Sequence, residues 1–292
     1  MSNHFTFKEL FEIYLERHAK PHKRYWKDDE AQVHRYLSDW RFKPISSLKK
    51  QDVQKLHLKV GKENGIYAAN RLLALITVIF NKAIEWGSDI KNPATYIQKF
   101  KESSRSRFLQ ADELPRFFEA LAQEPNKAIK DYIMISLLTG ARKMNVLQMR
   151  WEQINFNQKI WTIPKTKNGE EHTIPLLQPV IDILNERKNN GEWIFPSKST
   201  AGHLVDPKKA WANLLKRAEI KNLRLHDLRR SLGSWQAATG ASLSIIGKTL
   251  AHKNVSTTAI YARLNIDPVR NSLEKATTAI LSYSKQKPIT VK

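Results

Sequence analysis

Along the first hundred residues, apolar side chains recur at three- and four-residue spacing, the repeat that lines one face of a helix. TFKELFEIYLERHA sets Phe7, Leu10, Phe11, Tyr14 and Leu15 on one stripe behind a Thr6-x-x-Glu9 capping box, so a helix starts there. DDEAQVHRYLSDW and LKKQDVQKLHLKV predict two more, and GIYAANRLLALITVIFNKAIEWG predicts a long fourth, apolar on most sides and ended at Gly87. Four helices around a small core is the simplest arrangement for residues 1–104.

The periodicity fades over residues 88–108, SDIKNPATYIQKFKESSRSRF, where a Pro, polar residues and a charge-rich run read as a linker. A flexible connection of this kind would let two basic domains close around a rod-shaped ligand. Residues 105–292 form the second expected domain. It opens with helical patterns at ADELPRFFEALAQ and AIKDYIMISLLTG. In QKIWTIPKTKNGEEHTIPL two β-like runs flank Asn168-Gly169, the preferred pair for a type I′ hairpin turn. Helical patterns then return in VIDILNERKN, DPKKAWANLLKRAEI, LHDLRRSLGSWQAATG, SLSIIGKTLAH, STTAIYARL and DPVRNSLEKATTAILSYS. The expected fold class is therefore mainly α with a small antiparallel β-sheet.

Charge changes the picture more than composition does. The chain carries 49 Lys and Arg against 28 Asp and Glu, a formal net charge of +21, with 19 and 12 of these in residues 1–104 (net +7) and 30 and 16 in residues 105–292 (net +14). Both halves are basic, and neutralised phosphates release counterions, so a polyanion that touches both halves is the expected partner. The absence of Cys excludes disulfides, thiolate nucleophiles and Cys-based zinc sites. The apolar run Leu72 to Phe80 is too short to span a bilayer, and the start lacks the apolar core of a signal peptide, so a soluble, cytoplasmic protein with no membrane partner is expected.

Candidate chemistry lies in the second half. Arg142 follows a Thr-Gly pair that should end a helix, so its guanidinium can project from a turn. His226 and Arg229 stand three apart on one helix face, where both can reach the same phosphate oxygen. Lys167 sits beside the hairpin turn, with Lys165 two residues earlier, and His252 precedes Tyr261 by nine residues. Breaking a phosphodiester requires cations on the non-bridging oxygens and a proton donor for the departing alkoxide. Two Arg, two His and a Lys supply both, and a positioned Tyr can form a covalent intermediate. No paired carboxylates at metal-site spacing, no GxxxxGK[ST] and no HExxH occur, so a route with no cofactor is favoured.

TGARKMNVLQMRW, TKNGEEHTIPL, HDLRRS and LAHKNVSTTAIY, in that order, resemble the active-site boxes of the tyrosine recombinases, the phage integrase family. The resemblance covers the whole chain: residues 1–104 look like that family's helical, SAM-like core-binding domain, and residues 105–292 like its mixed α/β catalytic domain. It implies that Arg142 and Arg229 bind the phosphate, Lys167 protonates the leaving 5′-hydroxyl, His226 assists proton transfer, His252 donates to the phosphate, and Tyr261 is the nucleophile. It further implies double-stranded recombination sites as substrate and a homotetramer on DNA, with the last helix passed to a neighbour through Leu273, Ala276, Ile280 and Leu281. Accessory DNA-bending proteins or an excision factor are further partners such a protein takes. The family's usual Leu-Gly-His reads Leu250-Ala251-His252 here, and Asn145 stands where many members carry an acid. A type IB topoisomerase and a non-catalytic helix-turn-helix regulator, the latter on SLSIIGKTLAHKNVSTTAIYARL, are the alternative readings.

Overall fold

Thr6 and Glu9 close the expected capping box: the Thr6 amide donates to the Glu9 carboxylate (2.7 Å) and the Glu9 amide to the Thr6 hydroxyl (3.3 Å). This opens α1 (Phe7–Tyr14), which continues through a π-helical turn, Leu15–Ala19, into α2 (Lys20–His22). The computed structural model describes residues 5–103, 105–164, 169–188, 191–262 and 267–284. The chain folds as two units, Met1–Ser104 and Arg105–Lys292.

The first unit continues with α3 (Trp26–Tyr36), α4 (Lys50–Asn64) and α5 (Ile66–Glu85). Phe7, Leu10 and Tyr14 from α1 meet Leu72, Ile76, Ile79 and Phe80 from α5 in its core. At the core's edge the buried Tyr14 hydroxyl donates to Asp29 (2.8 Å), and Lys23 donates to both Tyr14 (2.8 Å) and Asp29 (2.7 Å). Among the described residues only α5, with a mean hydropathy of 1.2, passes a length-and-composition test for crossing a membrane. Half of the tested window is buried inside the unit, as befits a core helix.

The boundary between the units falls inside the 88–108 segment read as a linker, and the described residues on each side of it are docked on their own unit. On the first unit Ala94 joins the core and Asn70 binds the segment three times, accepting from the Phe100 amide (2.9 Å) and donating to the Phe100 carbonyl (2.9 Å) and the Glu102 carboxylate (2.7 Å). The Phe100 ring stacks on His57 at 4.5 Å, and only the missing side chain of Gly61 leaves room for it. On the second unit Arg105 donates to Asp227 (3.2 Å) and Arg107 to Glu113 (2.7 Å), and Leu109, just past the segment, is fully buried. Polar residues that look like linker in sequence are here spent on specific hydrogen bonds.

The second unit runs α6 (Leu114–Ala122), α7 (Lys127–Thr139), α8 (Lys143–Leu147), then β1 (Ile154–Asn155), β2 (Ile160–Ile163) and β3 (His172–Pro175) in one antiparallel sheet of order β1-β2-β3. It ends with α9 (Gln178–Arg187), α10 (Lys208–Arg217), α11 (Asp227–Ala238), α12 (Leu243–Thr249), α13 (Val255–Ala262) and α14 (Asp267–Ser284). Trp161 of β2 and Ile174 of β3 pair across the sheet and point into a core shared with Phe117, Tyr132, Phe195 and Leu214. A two-residue turn at Asn168-Gly169 would set Ile163 opposite Ile174, yet Ile163 pairs with His172. Residues 165–168, Asn168 of the expected turn among them, lie outside the described residues. Registers two residues apart keep every side chain on the same face, so alternation alone could not tell them apart.

Candidate active site

α7 ends at Gly140, whose φ of 60° is left-handed and whose Cβ, if present, would stand 2.8 Å from both Leu232 and Leu250. Only glycine fits this turn, and it delivers Arg142 to the start of α8 two residues later. Arg229 comes from the first turn of α11 and is buried, 6% exposed. The two guanidinium groups grip one short turn. Arg229 donates through Nη1 to the Gly140 carbonyl (2.8 Å) and through Nη2 to the Leu250 carbonyl, while Arg142 donates to the Ala251 carbonyl (3.0 Å). Burial, then the nearby Arg142 charge, pulls the Arg229 pKa down to about 10, and burial lowers that of Arg142. Asp227, buried beside them, accepts from the Arg224 amide (2.8 Å), Arg230 (2.8 Å) and Arg105 (3.2 Å), fixing the start of α11.

The gripped turn presents His252. Its Nδ1 lies 2.9 Å from the hydroxyl of Thr258, which is buried. With that hydroxyl donating, the neutral ring carries its proton on Nε2. Burial and the cations Arg229 and Arg142 push its pKa down to about 4. The ring stacks on that of Tyr261, with centroids 6.2 Å apart and planes 4° from parallel. Tyr261 is 2% exposed and clusters with Ile246 and Leu250. Burial raises its pKa, opposed by Arg229 and Arg230. His226 forms the exposed N-cap of α11; desolvation by the surrounding protein and then Arg229 and Arg230 hold its pKa below the ordinary value.

Of the sequence-predicted residues, Arg142, Arg229, His252 and Tyr261 thus converge, and His226 adjoins them. Lys167 and its neighbour Lys165 lie outside the described residues. Two groups that sequence reasoning missed also belong here. Thr258 orients His252, and His172 of β3 donates through Nε2 to the Thr249 carbonyl (3.1 Å). A hydroxyl six residues after a candidate His, and a His closing a basic hairpin, were the available signals. Beside these groups lies a cavity of about 530 Å³ lined by His172, Lys248, Ala251, His252 and Lys253. Among the described residues no cluster of His, Asp and Glu could hold a metal ion.

Residues 107–267 match the phage integrase family, more than half of the chain. The chain belongs to that family. The matched span contains all six of the candidate residues. Among relatives, the prophage integrase IntF of Escherichia coli (strain K12) is 31% identical over 182 residues, 60% of this chain and 39% of that protein. The chain spans about half the length of the curated relatives it matches. Among solved structures, the Tn1549 transposon integrase in complex with a circular intermediate DNA aligns at TM-score 0.75 and 17% identity over 92% of this chain and 99% of that one. A lambda integrase tetramer bound to a Holliday junction aligns at TM-score 0.69 and 16% identity over 86% and 79%. At such identities the likeness establishes the fold: this phage integrase family member shares theirs.

Proposed function

We propose that this chain is a site-specific DNA recombinase that cuts and rejoins duplex DNA through a 3′-phosphotyrosyl intermediate, integrating or excising a mobile element in the cytoplasm of a bacterial or phage-infected cell. The observation that carries this reading is the convergence of Arg142, Arg229 and His252 on one turn with the Tyr261 ring stacked behind it. Net charge of +21 suits a DNA substrate.

In this mechanism the scissile phosphate lies against the 250–252 turn. Each guanidinium has five N–H donors, so those not bound to carbonyls remain for the two non-bridging oxygens. His252 adds its Nε2–H. The Tyr261 oxygen attacks phosphorus in line with the 5′-oxygen: one P–O bond forms as the other breaks, the phenolic proton passes to His226, and the departing 5′-oxygen takes a proton from Lys167. The donors are already aimed where charge develops, which is the main source of rate in such sites. The phosphotyrosyl ester retains the energy of the broken bond, so a 5′-hydroxyl from a second duplex reverses the step and joins the strands.

Exchange between two duplexes calls for several copies on DNA. Lambda integrase has been seen as a tetramer on a Holliday junction. Here α14 leaves Leu273, Ile280 and Leu281 exposed at 62%, 70% and 54%, an apolar surface suited to a neighbouring copy in a homotetramer. Deleting residues 268–292 should abolish tetramer assembly on DNA; unchanged assembly and cleavage would refute the exchange.

The test of the reaction is recovery of denaturant-resistant protein–DNA adducts from a fragmented genomic library, in chelator, for the parent and Tyr261→Phe. Adducts at one short site, absent in the variant, are expected. Scattered adducts would point to a topoisomerase, and none with either protein would overturn the recombinase reading in favour of a DNA-binding regulator.

A further inference from the structure

His172 begins β3, directly after the loop whose sequence holds Lys167. Its Nε2 lies 3.1 Å from the carbonyl of Thr249, the last residue of α12. A carbonyl only accepts, so this nitrogen carries a proton, in the neutral ring and in the cation alike. Thr249 immediately precedes the turn that Arg142 and Arg229 hold by its Leu250 and Ala251 carbonyls. Two residues before His172, Glu170 pairs with Lys253 at 2.7 Å, on the other side of His252 in the chain. The hairpin's return strand is thus fastened to the His252 turn at both flanks, and the two segments wall the 530 Å³ cavity between them. The Glu170–Lys253 pair is exposed, and such pairs hold geometry weakly. The half-buried His172 contact is the firmer tie. Burial, with Arg229 and Arg142 nearby, lowers the pKa of its ring, so the ring stands within reach of both cations' fields.

We infer that His172 is a positioning residue: its hydrogen bond to Thr249 holds the strand leaving the Lys167 loop in fixed relation to the turn that carries His252, so that leaving-group acid and phosphate-binding groups address one scissile phosphate. The inference rests on the reading of Lys167 as that acid.

Duplexes carrying the site recovered in the adduct experiment, with either oxygen or sulfur as the 5′-bridging atom of the scissile phosphate, separate the roles. A thiolate departs without the proton that an alkoxide needs. On the oxygen duplex, Lys167→Ala should cleave ~10²–10⁴-fold slower than the parent, the range general acid catalysis supplies, and His172→Ala at least about ten-fold slower. On the sulfur duplex both should return to near the parent rate. His172→Gln, which keeps an N–H donor, should stay near the parent on both. Should His172→Ala fail to fold, His172→Phe removes the donor while keeping the ring's bulk. If sulfur rescues Lys167→Ala but not His172→Ala, or if His172→Ala cleaves the oxygen duplex at the parent rate, the inference is overturned with the Lys167 reading intact. If sulfur fails to rescue Lys167→Ala, that reading fails and takes the inference with it. Trypsin supplies a measurement without DNA: cutting after Lys165 and Lys167 should accelerate several-fold in the folded donor-less variant relative to other sites, and equal rates would overturn the tie.

Discussion

Gly233, in the middle of α11, is the sharpest test of the position assigned to the Tyr261 ring. A Cβ at this position would stand 2.7 Å from Cζ and 2.9 Å from Cε1 of Tyr261, and 2.9 Å from a terminal methyl of Leu250. In an unobstructed helix interior, Gly→Ala stabilises by about 0.8–1 kcal/mol. Forcing a methyl into a packed site costs about 1–3 kcal/mol. The clash therefore wins or breaks even, and Gly233→Ala should be neutral to about 2 kcal/mol less stable than the parent. In a Tyr261→Ala background most of the clash is gone, so the same substitution should stabilise by the helix increment. The double-mutant cycle, read by thermal or denaturant unfolding, should return a coupling of about 1–3 kcal/mol. Adduct formation by Gly233→Ala should fall at least about ten-fold, since displacement of a reacting group by an ångström costs up to ~10²-fold. Stabilisation by the full helix increment in both backgrounds, with adduct formation unchanged, would refute the packing of the ring against this glycine.

Ala251 has φ of 48°, a left-handed conformation that costs a non-glycine residue about 1–2 kcal/mol; Ala251→Gly, which restores the family's Leu-Gly-His, should raise stability by about 0.5–1 kcal/mol in a denaturant titration. His252 titrates at about 4 in the folded chain and at 6.5 unperturbed. Above about pH 6.5 both states are neutral and stability is unaffected; as pH falls below this, the unfolded chain binds a proton that the folded chain resists, so stability should decline down to about pH 4 and then level off. His172 and His226, also held low, act in the same direction, and His252→Asn should flatten the slope measured by unfolding at fixed pH. Thr258→Val removes the hydroxyl hydrogen-bonded to His252 Nδ1 while keeping its volume, so cleavage should drop about ten-fold or more with the adduct still made by Tyr261. Tyr14→Phe strips one bond each from Asp29 and Lys23 at the edge of the first unit's core and should cost about 1–3 kcal/mol in unfolding experiments.

What was legible in the sequence is what depends on near neighbours in the chain. The Thr6–Glu9 box, the Gly140 stop before Arg142 and the helical stripe of α1 are settled within a few residues, and each stands as the pattern implies. What depends on distant partners was not legible. Asn70 reaches 30 residues ahead to Phe100, which docks part of the linker segment on the first unit. His172 finds its acceptor 77 residues away, and nothing in HTIPL announces it. The hairpin register was not legible for a different reason: a shift by two preserves the burial pattern, so alternation alone could not single out the pairing of Ile163 with His172. The family's order of boxes carried the candidate site further than periodicity could, because four short motifs, each common alone, constrain one another. Even so, their order is silent on Ala251, whose strain exists only in three dimensions.

Under the proposed function, the substrate is expected to complete the candidate site electrostatically. Arg142, Arg229 and His252 crowd positive or potentially positive groups around one turn; burial depresses the pKa of each, and for Arg229 and His252 the neighbouring cations lower it further. The carbonyls of Gly140, Leu250 and Ala251 satisfy the guanidinium hydrogen bonds, yet as neutral dipoles they leave the mutual repulsion of the cations uncompensated. A phosphodiester brings the missing negative charge to partly buried donors, where Coulomb energy is several-fold larger than in water. Each pKa should move back toward its ordinary value as the anion binds. The same residues therefore account for a free site under electrostatic strain that a bound anion would relieve. Asp227 behind α11, Thr258 behind His252 and His172 beside the turn hold this geometry, and under the proposed reaction their removal is expected to slow cleavage.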